Sequence, residues 1–482
     1  MQLYTERRHK MPQNTITEGK LPFRVKLGYG LSGYTSFIAW SLFSYYGLYF
    51  FTDVVGMAAA FAGAIISIGT LWDAVTDPIV GGISDNIKWK RGRRRPLIAG
   101  VAVPFCFISV LLFTNWGFDE TVSKIYFVVL ILLYYTAQTI LDISSSALGS
   151  EMTLDYDERT SLATWKNFFC MVVVVAVSPM LMLVSYFGGW FENSDYGWSA
   201  AVGLYMVIAL VLIFILWRTT KGYEKNRGVG EGSNTFSLKD IPEILKNKSA
   251  CIVILMFAIG VFANTMHLSI QVYYFTYYVG LTEAQIAKVN LVFGLVSILM
   301  AWVVDQMMRI MTKKAAWILA LLLNSAALIL MVGVAIPQGA PTYLIVILVV
   351  LMSVANAAVY QVPWAMIPDC VDVHELKTGK RTDGVFYGIV AFVQKAAGAL
   401  GAALIGGLLT LVGYDSNAAV LSESALSGMK NIYGFLIGIL FAAGAVIAVL
   451  YPLNKTRHEE VCKAIEDRKM GKETDLSAFQ DL

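Results

Sequence analysis

Two aspartates inside an apolar stretch carry the first chemical signal in this sequence. Asp73 and Asp77 lie within the run Met57–Ile83 and are four residues apart, so on a helix they share one face. A carboxylate in the middle of a membrane costs roughly 2.5–3.5 kcal/mol on insertion scales, and a pair is tolerated only beside a partner or in a wet cavity. Two structural acids neutralised by a basic residue elsewhere would meet this condition. The working hypothesis is a cation site, because ionisable residues within a membrane are by default candidates for function.

A third acid and two hydroxyl groups extend this signal. Thr76 lies between the two aspartates, while Thr139 and Asp142 lie within the apolar run Ile125–Ser150. The Thr139 hydroxyl could join the two carboxylates around a hard cation, since such ions prefer oxygen ligands. Back-bonding of this hydroxyl to its own helix is the alternative. Asp142 is interpreted as a carboxylate that faces the substrate, with a salt-bridged structural acid as the alternative.

One lysine in the second half of the chain matches these acids. Lys395 lies among Ala, Gly and Phe within the run Gly384–Val412 and has no room to reach an interface, so it needs an acid partner or a cavity. Lys166 and Asn167 open the fifth apolar run, and Lys166 could simply extend to the membrane interface. His267 is interpreted as a hydrogen-bonded core histidine rather than a proton relay.

The composition indicates a membrane protein. Hydrophobic residues make up 57% of the 482 residues and charged residues 15%, which lies outside soluble globular usage. Twelve apolar runs lie between Val25 and Tyr451, enough for twelve helices that span a membrane. The predicted fold class is therefore an all-α membrane protein. Metalloprotease, nucleophile-elbow and phosphate-loop motifs are missing and the five cysteines show no paired spacing, so neither an enzyme nor a cofactor is expected.

The charges predict an orientation and a division of the chain. Lys and Arg concentrate in alternate connections, which places both termini in the cytoplasm of a multi-pass protein of the cell membrane. The longest charged interruption separates six runs from six, as in transporters whose two halves rock about a site at the midplane. The predicted segments are a cytoplasmic tail 1–24, an N-terminal six-helix bundle 25–217, a cytoplasmic linker 218–249, a C-terminal six-helix bundle 250–452 and a cytoplasmic tail 453–482.

Five short motifs occur in order along the chain. They are Gly28-Tyr-Gly-Leu, Tyr49-Phe-Phe-Thr-Asp-Val-Val-Gly, Trp72-Asp-Ala-Val-Thr-Asp-Pro, Pro368-Asp-Cys-Val-Asp and Gln394-Lys. Together with the Asp142 run, this set resembles the glycoside–pentoside–hexuronide:cation symporters of the major facilitator superfamily, and the similarity covers nearly all twelve runs. The resemblance implies the major facilitator fold and uptake of a sugar coupled to Na⁺ or H⁺.

The resemblance also implies roles, residue by residue. Asp73 and Asp77 correspond to the carboxylates that bind the coupling cation, and Thr139 corresponds to a hydroxyl ligand. Asp142 corresponds to an acid that binds the sugar. Lys395 corresponds to the lysine that links the sugar and cation sites.

Further residues complete the expected substrate set. Tyr360 corresponds to an aromatic residue near the sugar. Tyr34 is one of several aromatic residues numerous enough to line a sugar path, although each alone is more typical of packing. Asn167 is added as a polar neighbour at the start of the fifth run. These three residues and the two charged ones form the predicted substrate site.

The chain departs from the family pattern at several positions. Phe37 replaces a first-span acid of the melibiose carrier, the best-known member of the family, and Val390 and Ala391 replace polar residues near the sugar. Thr76 replaces an asparagine in the cation site, which leaves sodium versus proton coupling open. The resemblance therefore supports the coupling residues better than it identifies the substrate.

The resulting hypothesis is a symporter that imports a sugar, glycoside or uronide with Na⁺ or H⁺. Two alternatives are a lysolipid carrier of the same superfamily and a membrane sensor that binds sugar without moving it. The expected partners are the sugar, the coupling cation and the lipid bilayer, with no nucleic acid and a monomeric state. If the coupling ion is sodium, Asp73, Asp77 and Thr139 are the expected metal ligands.

Overall fold

The helices of the protein, seen in a computed structural model, follow the apolar runs of the sequence. The structure describes residues 20–87, 92, 94–153, 155–224, 244, 246–334, 342–379, 383–416, 418, 420–470, 476–479 and 482. Most of the predicted N-terminal tail, most of the predicted linker and the basic residues Lys88, Lys90, Arg91 and Arg93 lie outside these residues. The predicted segment boundaries stay predictions.

Fifteen α-helices are described. In chain order they are α1 (Phe23–Tyr49), α2 (Ala59–Asn86), α3 (Arg95–Leu112), α4 (Glu120–Met152), α5 (Tyr156–Val177), α6 (Met180–Gly188), α7 (Tyr196–Thr219), α8 (Lys248–Tyr273), α9 (Glu283–Ile310), α10 (Lys313–Val334), α11 (Thr342–Thr378), α12 (Asp383–Leu411), α13 (Glu423–Lys430), α14 (Ile437–Val449) and α15 (Lys455–Lys469). Short π-helical turns continue α1 (Phe50–Val54) and α8 (Tyr274–Tyr278) and join α13 to α14 (Asn431–Leu436), and a 3₁₀ turn covers Leu476–Phe479.

The predicted all-α membrane architecture is confirmed. Among the described residues, eleven helical segments are long and apolar enough to cross a membrane. Helix α1 is less apolar because glycine, serine and tyrosine recur along it, but its 27 residues are also long enough to span. With α1 the spans number twelve, where α5 and α6 form one span and α13 and α14 another. The protein is therefore an integral, multi-pass membrane protein.

Two of the helices that carry candidate site residues begin at defined caps. The Asp119 side chain accepts hydrogen bonds from the amides of Thr121 and Val122 at the start of α4. The Asp155 side chain accepts one from the amide of Glu158 at the start of α5. These caps satisfy amide groups that have no partner within the helix, and such a cap is typically worth about 1 kcal/mol.

The two halves of the chain meet along four helix pairs, with α2 against α12, α1 against α8, and both α5 and α6 against α9. At one end of the molecule, which we call the Asp53 end, Asp53 accepts hydrogen bonds from Tyr277 and from Tyr414 (2.5 Å). Beside it, the hydroxyl groups of Thr52 and Tyr273 are 2.7 Å apart. Each of these bonds joins the first half to the second, so the bundles are held together at the Asp53 end.

Glycines allow α2 and α12 to approach closely near the same end. A Cβ atom added to Gly406 would lie 2.3 Å from the carbonyl oxygen of Ala59, and one added to Gly63 would lie 2.8 Å from that of Ala402. Real Cβ atoms do not approach other atoms this closely, so only glycine fits without a backbone shift. Small residues at such crossings let helix backbones pack in a membrane.

We expect Gly406→Ala to destabilise the protein, since backbone atoms of α2 would have to move to admit the methyl group. Overpacking of this kind costs about 1–3 kcal/mol. The matched control is Gly407→Ala, where a Cβ atom meets nothing within 4 Å and the gain in helix propensity stands alone. Thermal unfolding of the purified protein measures both. Equal midpoints for the two variants would show that the close approach contributes nothing to stability.

Candidate functional site

A cavity of about 490 Å³ lies between the two bundles. Residues of α1, α2, α4 and α5 line it from the first half, and residues of α8, α9, α11 and α12 line it from the second. This volume falls in the range of sites for small molecules. The charged residues that line the cavity are Asp73, Asp77, Asp142, Lys166 and Lys395. Three carboxylates and two ammonium groups leave one negative charge uncompensated.

Lys395 lies between the two aspartates of α2. Its Nζ is 2.6 Å from a carboxylate oxygen of Asp73 and donates a hydrogen bond to Asp77 as well. The two acids are one helical turn apart, so both face α12, and 25% of the lysine side chain remains exposed. The sequence alone is compatible with a cation site and with structural acids beside a basic partner. The structure supplies that partner, on the opposite bundle.

Two threonines of the first bundle lie beside the acid pair and bond to Asp73. The Thr139 hydroxyl donates a hydrogen bond of 2.6 Å to Asp73 Oδ1, so it faces the acids rather than bonding back to its own helix. The hydroxyl oxygens of Thr139 and Thr76 are 3.2 Å apart, and the Thr76 hydroxyl donates to the carbonyl oxygen of Asp73. Carboxylate and hydroxyl oxygens of four residues thus converge beside the Lys395 ammonium.

Asp142 faces the cavity and is also salt-bridged. Its Oδ1 is 3.3 Å from Lys166 Nζ, and 49% of its side chain is exposed. Lys166 Nζ also donates a hydrogen bond of 2.8 Å to the hydroxyl of Ser146. Lys166 therefore does not extend to the membrane interface as the sequence suggested, because α5 packs so that the lysine faces α4. The salt bridge of Asp142 is observed, and its role in facing the substrate stays a prediction.

Of the other three predicted substrate residues, two line the cavity and one does not. Tyr360 and Asn167 line the cavity, and the Tyr360 hydroxyl accepts a weak hydrogen bond of 3.4 Å from Asn264. Tyr34 is 5% exposed and lies outside the cavity lining, whereas Phe37 and Trp40, further along α1, are part of it. The structure thus brings together every predicted site residue except Tyr34. Their assigned roles stay predictions.

Several groups in the cavity lining were not part of the predicted substrate site. Phe37 and Trp40 stack with ring centroids 4.9 Å apart and both face the cavity. Buried side-chain oxygens of Gln138, Ser297 and Gln361 also border it, and they have no hydrogen-bond partner within the described part of the chain. Buried polar atoms normally have a partner, so water or a polar ligand is expected to supply one. The sequence signal for Gln138 and Gln361 is an amide side chain within an apolar run.

His267 is a core residue, as expected. It is 3% exposed, and its Nε2 is 3.2 Å from the hydroxyl of Tyr433. The two rings are also in contact, with centroids 5.4 Å apart. The structure therefore places His267 in packing between α8 and the last span rather than in the cavity lining.

Two helical bundles around a polar cavity define a transporter of the major facilitator fold. The crystal structure of a D-xylose–proton symporter superimposes with a TM-score of 0.62 at 15% identity, covering 90% of this chain and 98% of that chain. A family model described as MFS/sugar transport protein matches residues 28–455. The chain belongs to this family.

Two relatives match this chain over most of its length. A putative glycoside/cation symporter of Escherichia coli is 25% identical over 453 residues, covering 92% of this chain and 95% of that protein. An isoprimeverose transporter of Lactiplantibacillus pentosus is 25% identical over 445 residues, covering 92% and 91%. These matches confirm the resemblance to the glycoside:cation symporters.

We expect Lys395→Ala to destabilise the protein, because two acids then face each other without a cation. Removing one partner of a fully buried pair costs about 3–5 kcal/mol, and the wet cavity reduces that figure here. Adding Asp77→Asn to the Lys395→Ala variant should recover part of the loss. Thermal unfolding in sodium-free buffer measures the coupling between the two substitutions. Strictly additive effects would contradict the role given to this ion pair.

Proposed function

We propose that this protein imports a neutral sugar or glycoside by symport with one monovalent cation, Na⁺ or H⁺. The observation that carries the proposal is the charge of the cavity, where three carboxylates face two ammonium groups. One added monovalent cation makes this set neutral, and moving a neutral set through an apolar surrounding avoids the cost of an unpaired charge. The glycoside/cation symporter among the relatives supports the same activity.

The cation is proposed to act at the place that Lys395 now occupies. Sodium would take oxygens of Asp73, Asp77 and Thr139, with the Thr76 hydroxyl as a further neighbour. A proton would instead neutralise one carboxylate. In either case the lysine loses part of its attraction to α2, and its ammonium becomes available to the substrate. Sodium is favoured slightly, because the oxygen groups beside the two acids form most of a sodium shell.

The substrate is proposed to lie between Asp142 and the stacked rings of Phe37 and Trp40. A carboxylate can accept two sugar hydroxyls at once. The unpartnered oxygens of Gln138, Ser297 and Gln361 would accept further hydroxyls. A uronide brings a second negative charge, which one cation would leave uncompensated, so neutral glycosides are preferred.

Orientation follows from the distribution of Lys and Arg. The proposed orientation has both termini in the cytoplasm of a plasma-membrane or inner-membrane protein, so that the Asp53 end faces the outside. The bundles are joined there by Asp53, Tyr277 and Tyr414. This conformation is then one in which the site is sealed from the outside. In this superfamily the bundles rock so that contacts close one end and then the other, which gives alternating access to the site.

We expect Asp73→Asn and Asp77→Asn each to abolish accumulation of substrate in vesicles with an imposed sodium or proton gradient. Each change removes a formal charge from the proposed cation site. The matched control is Asp305→Asn, an aspartate of α9 that is 43% exposed and pairs with Arg309. Accumulation by either site variant at the level of the wild type would show that this acid is not required for coupling.

The same vesicles identify the ion. Full uptake in sodium-free vesicles with a pH gradient, unaffected by added sodium, would establish proton coupling. Uptake that requires sodium would establish sodium coupling. Binding of a sugar without accumulation under either gradient would replace the symporter with a membrane sensor.

We expect purified wild-type protein to bind neutral glycosides and to bind the matching hexuronides at least tenfold more weakly. Asp142→Ala should lose glycoside binding while the cation site is retained, since a hydrogen bond to a charged group typically contributes about 1.5–3 kcal/mol. Calorimetric titration measures both. Loss of binding caused only by the freed Lys166 would be reversed in the Asp142→Ala/Lys166→Ala variant. Tighter binding of the hexuronide by the wild type would contradict the charge argument.

A further inference from the structure

A second cluster of chemical groups lies far from the cavity lining, where the last described helix meets α11. In α15, His458, Val461, Cys462 and Ile465 follow the spacing of one helical face. Val461 and Ile465 are buried, so this face is the one that packs against the rest of the protein. Arg468 strengthens the contact by donating a hydrogen bond of 2.6 Å to the carbonyl oxygen of Leu376 in α11.

Three different donor atoms meet at this contact. His458 Nε2 is 3.0 Å from Asp372 Oδ2 of α11, and Cys462 Sγ is 3.7 Å from the same nitrogen. The ligand atoms of all three residues lie within 4.8 Å of one another. Donors about 2.0–2.3 Å from a tetrahedral zinc ion lie roughly 3.3–3.8 Å apart. Shifts of a few tenths of an ångström to about an ångström would therefore place the three atoms around one ion.

The surroundings favour a cation of intermediate softness. Sulfur, imidazole nitrogen and carboxylate oxygen are the donors that zinc takes, whereas magnesium and calcium prefer oxygen alone. Asp369 adds charge nearby, with Oδ1 3.8 Å from His458 Nε2, and both of its oxygens accept hydrogen bonds from Lys313. Asp369 and Asp372 thus place two carboxylates beside His458, and a divalent cation would reduce the repulsion between them.

We propose that Asp372, His458 and Cys462 form a binding site for Zn²⁺ or a similar divalent transition metal, which fastens α15 to the end of α11. The fourth position is left to water or, after release from Lys313, to Asp369. Sites with three protein ligands keep such an open position. A metal held by both helices stabilises their contact, because the ion binds the docked arrangement and not the separated one.

The test uses the full-length protein with an affinity tag free of histidine, stripped by a chelator and then titrated with Co²⁺. Cobalt replaces zinc at such sites and absorbs light. We expect one Co²⁺ per chain with a thiolate-to-cobalt charge-transfer band. Cys462→Ser should abolish this band. His458→Gln and Asp372→Asn should each weaken cobalt binding by more than the roughly 10–100-fold typical of an outer-sphere partner.

Cys251→Ser is the matched control, since Cys251 is a half-buried cysteine of α8 outside the cluster. It should keep the band and the affinity of the wild type. Zn²⁺ should raise the unfolding midpoint of the wild type and of this control but not of Cys462→Ser. Without metal, equal midpoints for these proteins show that the substitutions leave the fold intact. Absence of a thiolate band at stoichiometric Co²⁺, or an equal band in Cys462→Ser, would reduce the cluster to a hydrogen-bonded helix contact and overturn the proposal.

Discussion

The ion pairs of Lys395 with Asp73 and Asp77 are the constraint on which the centre of this molecule depends. Charges so far from the aqueous phases are tolerated only when they are paired or hydrated, and here the lysine and the aspartates neutralise one another. The partners belong to different bundles, α2 in the first and α12 in the second. The ion pairs that neutralise these charges therefore also join the two halves. Any rearrangement of the bundles must break these contacts or replace them.

The same two helices also make a close backbone contact between the bundles. Gly63 and Gly406 remove side chains where α2 crosses α12 toward the Asp53 end. The Ser67 hydroxyl lies between this crossing and the ion pairs, and it donates a hydrogen bond of 2.6 Å to the carbonyl oxygen of Ala399. Charge pairing, hydrogen bonding and close packing thus act along one helix pair. In the proposed mechanism, a cation that weakens the ion pairs acts on the two helices that have to separate.

Much of this could be predicted from the sequence, because the signals were local. Apolar runs of sufficient length predicted the spans, and the four-residue spacing of Asp73 and Asp77 predicted a shared face. Lys395 was predicted to need an acid or a cavity, and it has both. Its particular partners were not predictable without the family resemblance, because the pairing with Asp77 joins residues 318 apart in the chain and no local pattern encodes it.

The errors and omissions have the same origin. The environment of Lys166 depends on how α5 turns toward α4, and that rotation is set by packing rather than by the residues around the lysine. Tyr34 was predicted from its residue type alone, and the cavity is lined instead by Phe37 and Trp40, further along the same helix. Polar amides such as Gln361 are visible in an apolar run, but the sequence does not say which of them share a cavity. Residue type and spacing predict a face, and tertiary packing decides what the face meets.

Helix α11 contributes residues both to the cavity and to the contact with α15. It lines the cavity with Tyr360 and Gln361, and it faces α15 with Asp369 and Asp372. Pro363 and Pro368 lie between these two parts of the helix. Each proline removes a donor from the helical ladder and clashes with the preceding turn, so a helix tends to kink there. The end of α11 that holds α15 can then keep its arrangement while the cavity half moves with the bundles. A metal at the α15 contact would on this geometry stabilise the C-terminal helix without entering the charge balance on which cation coupling depends.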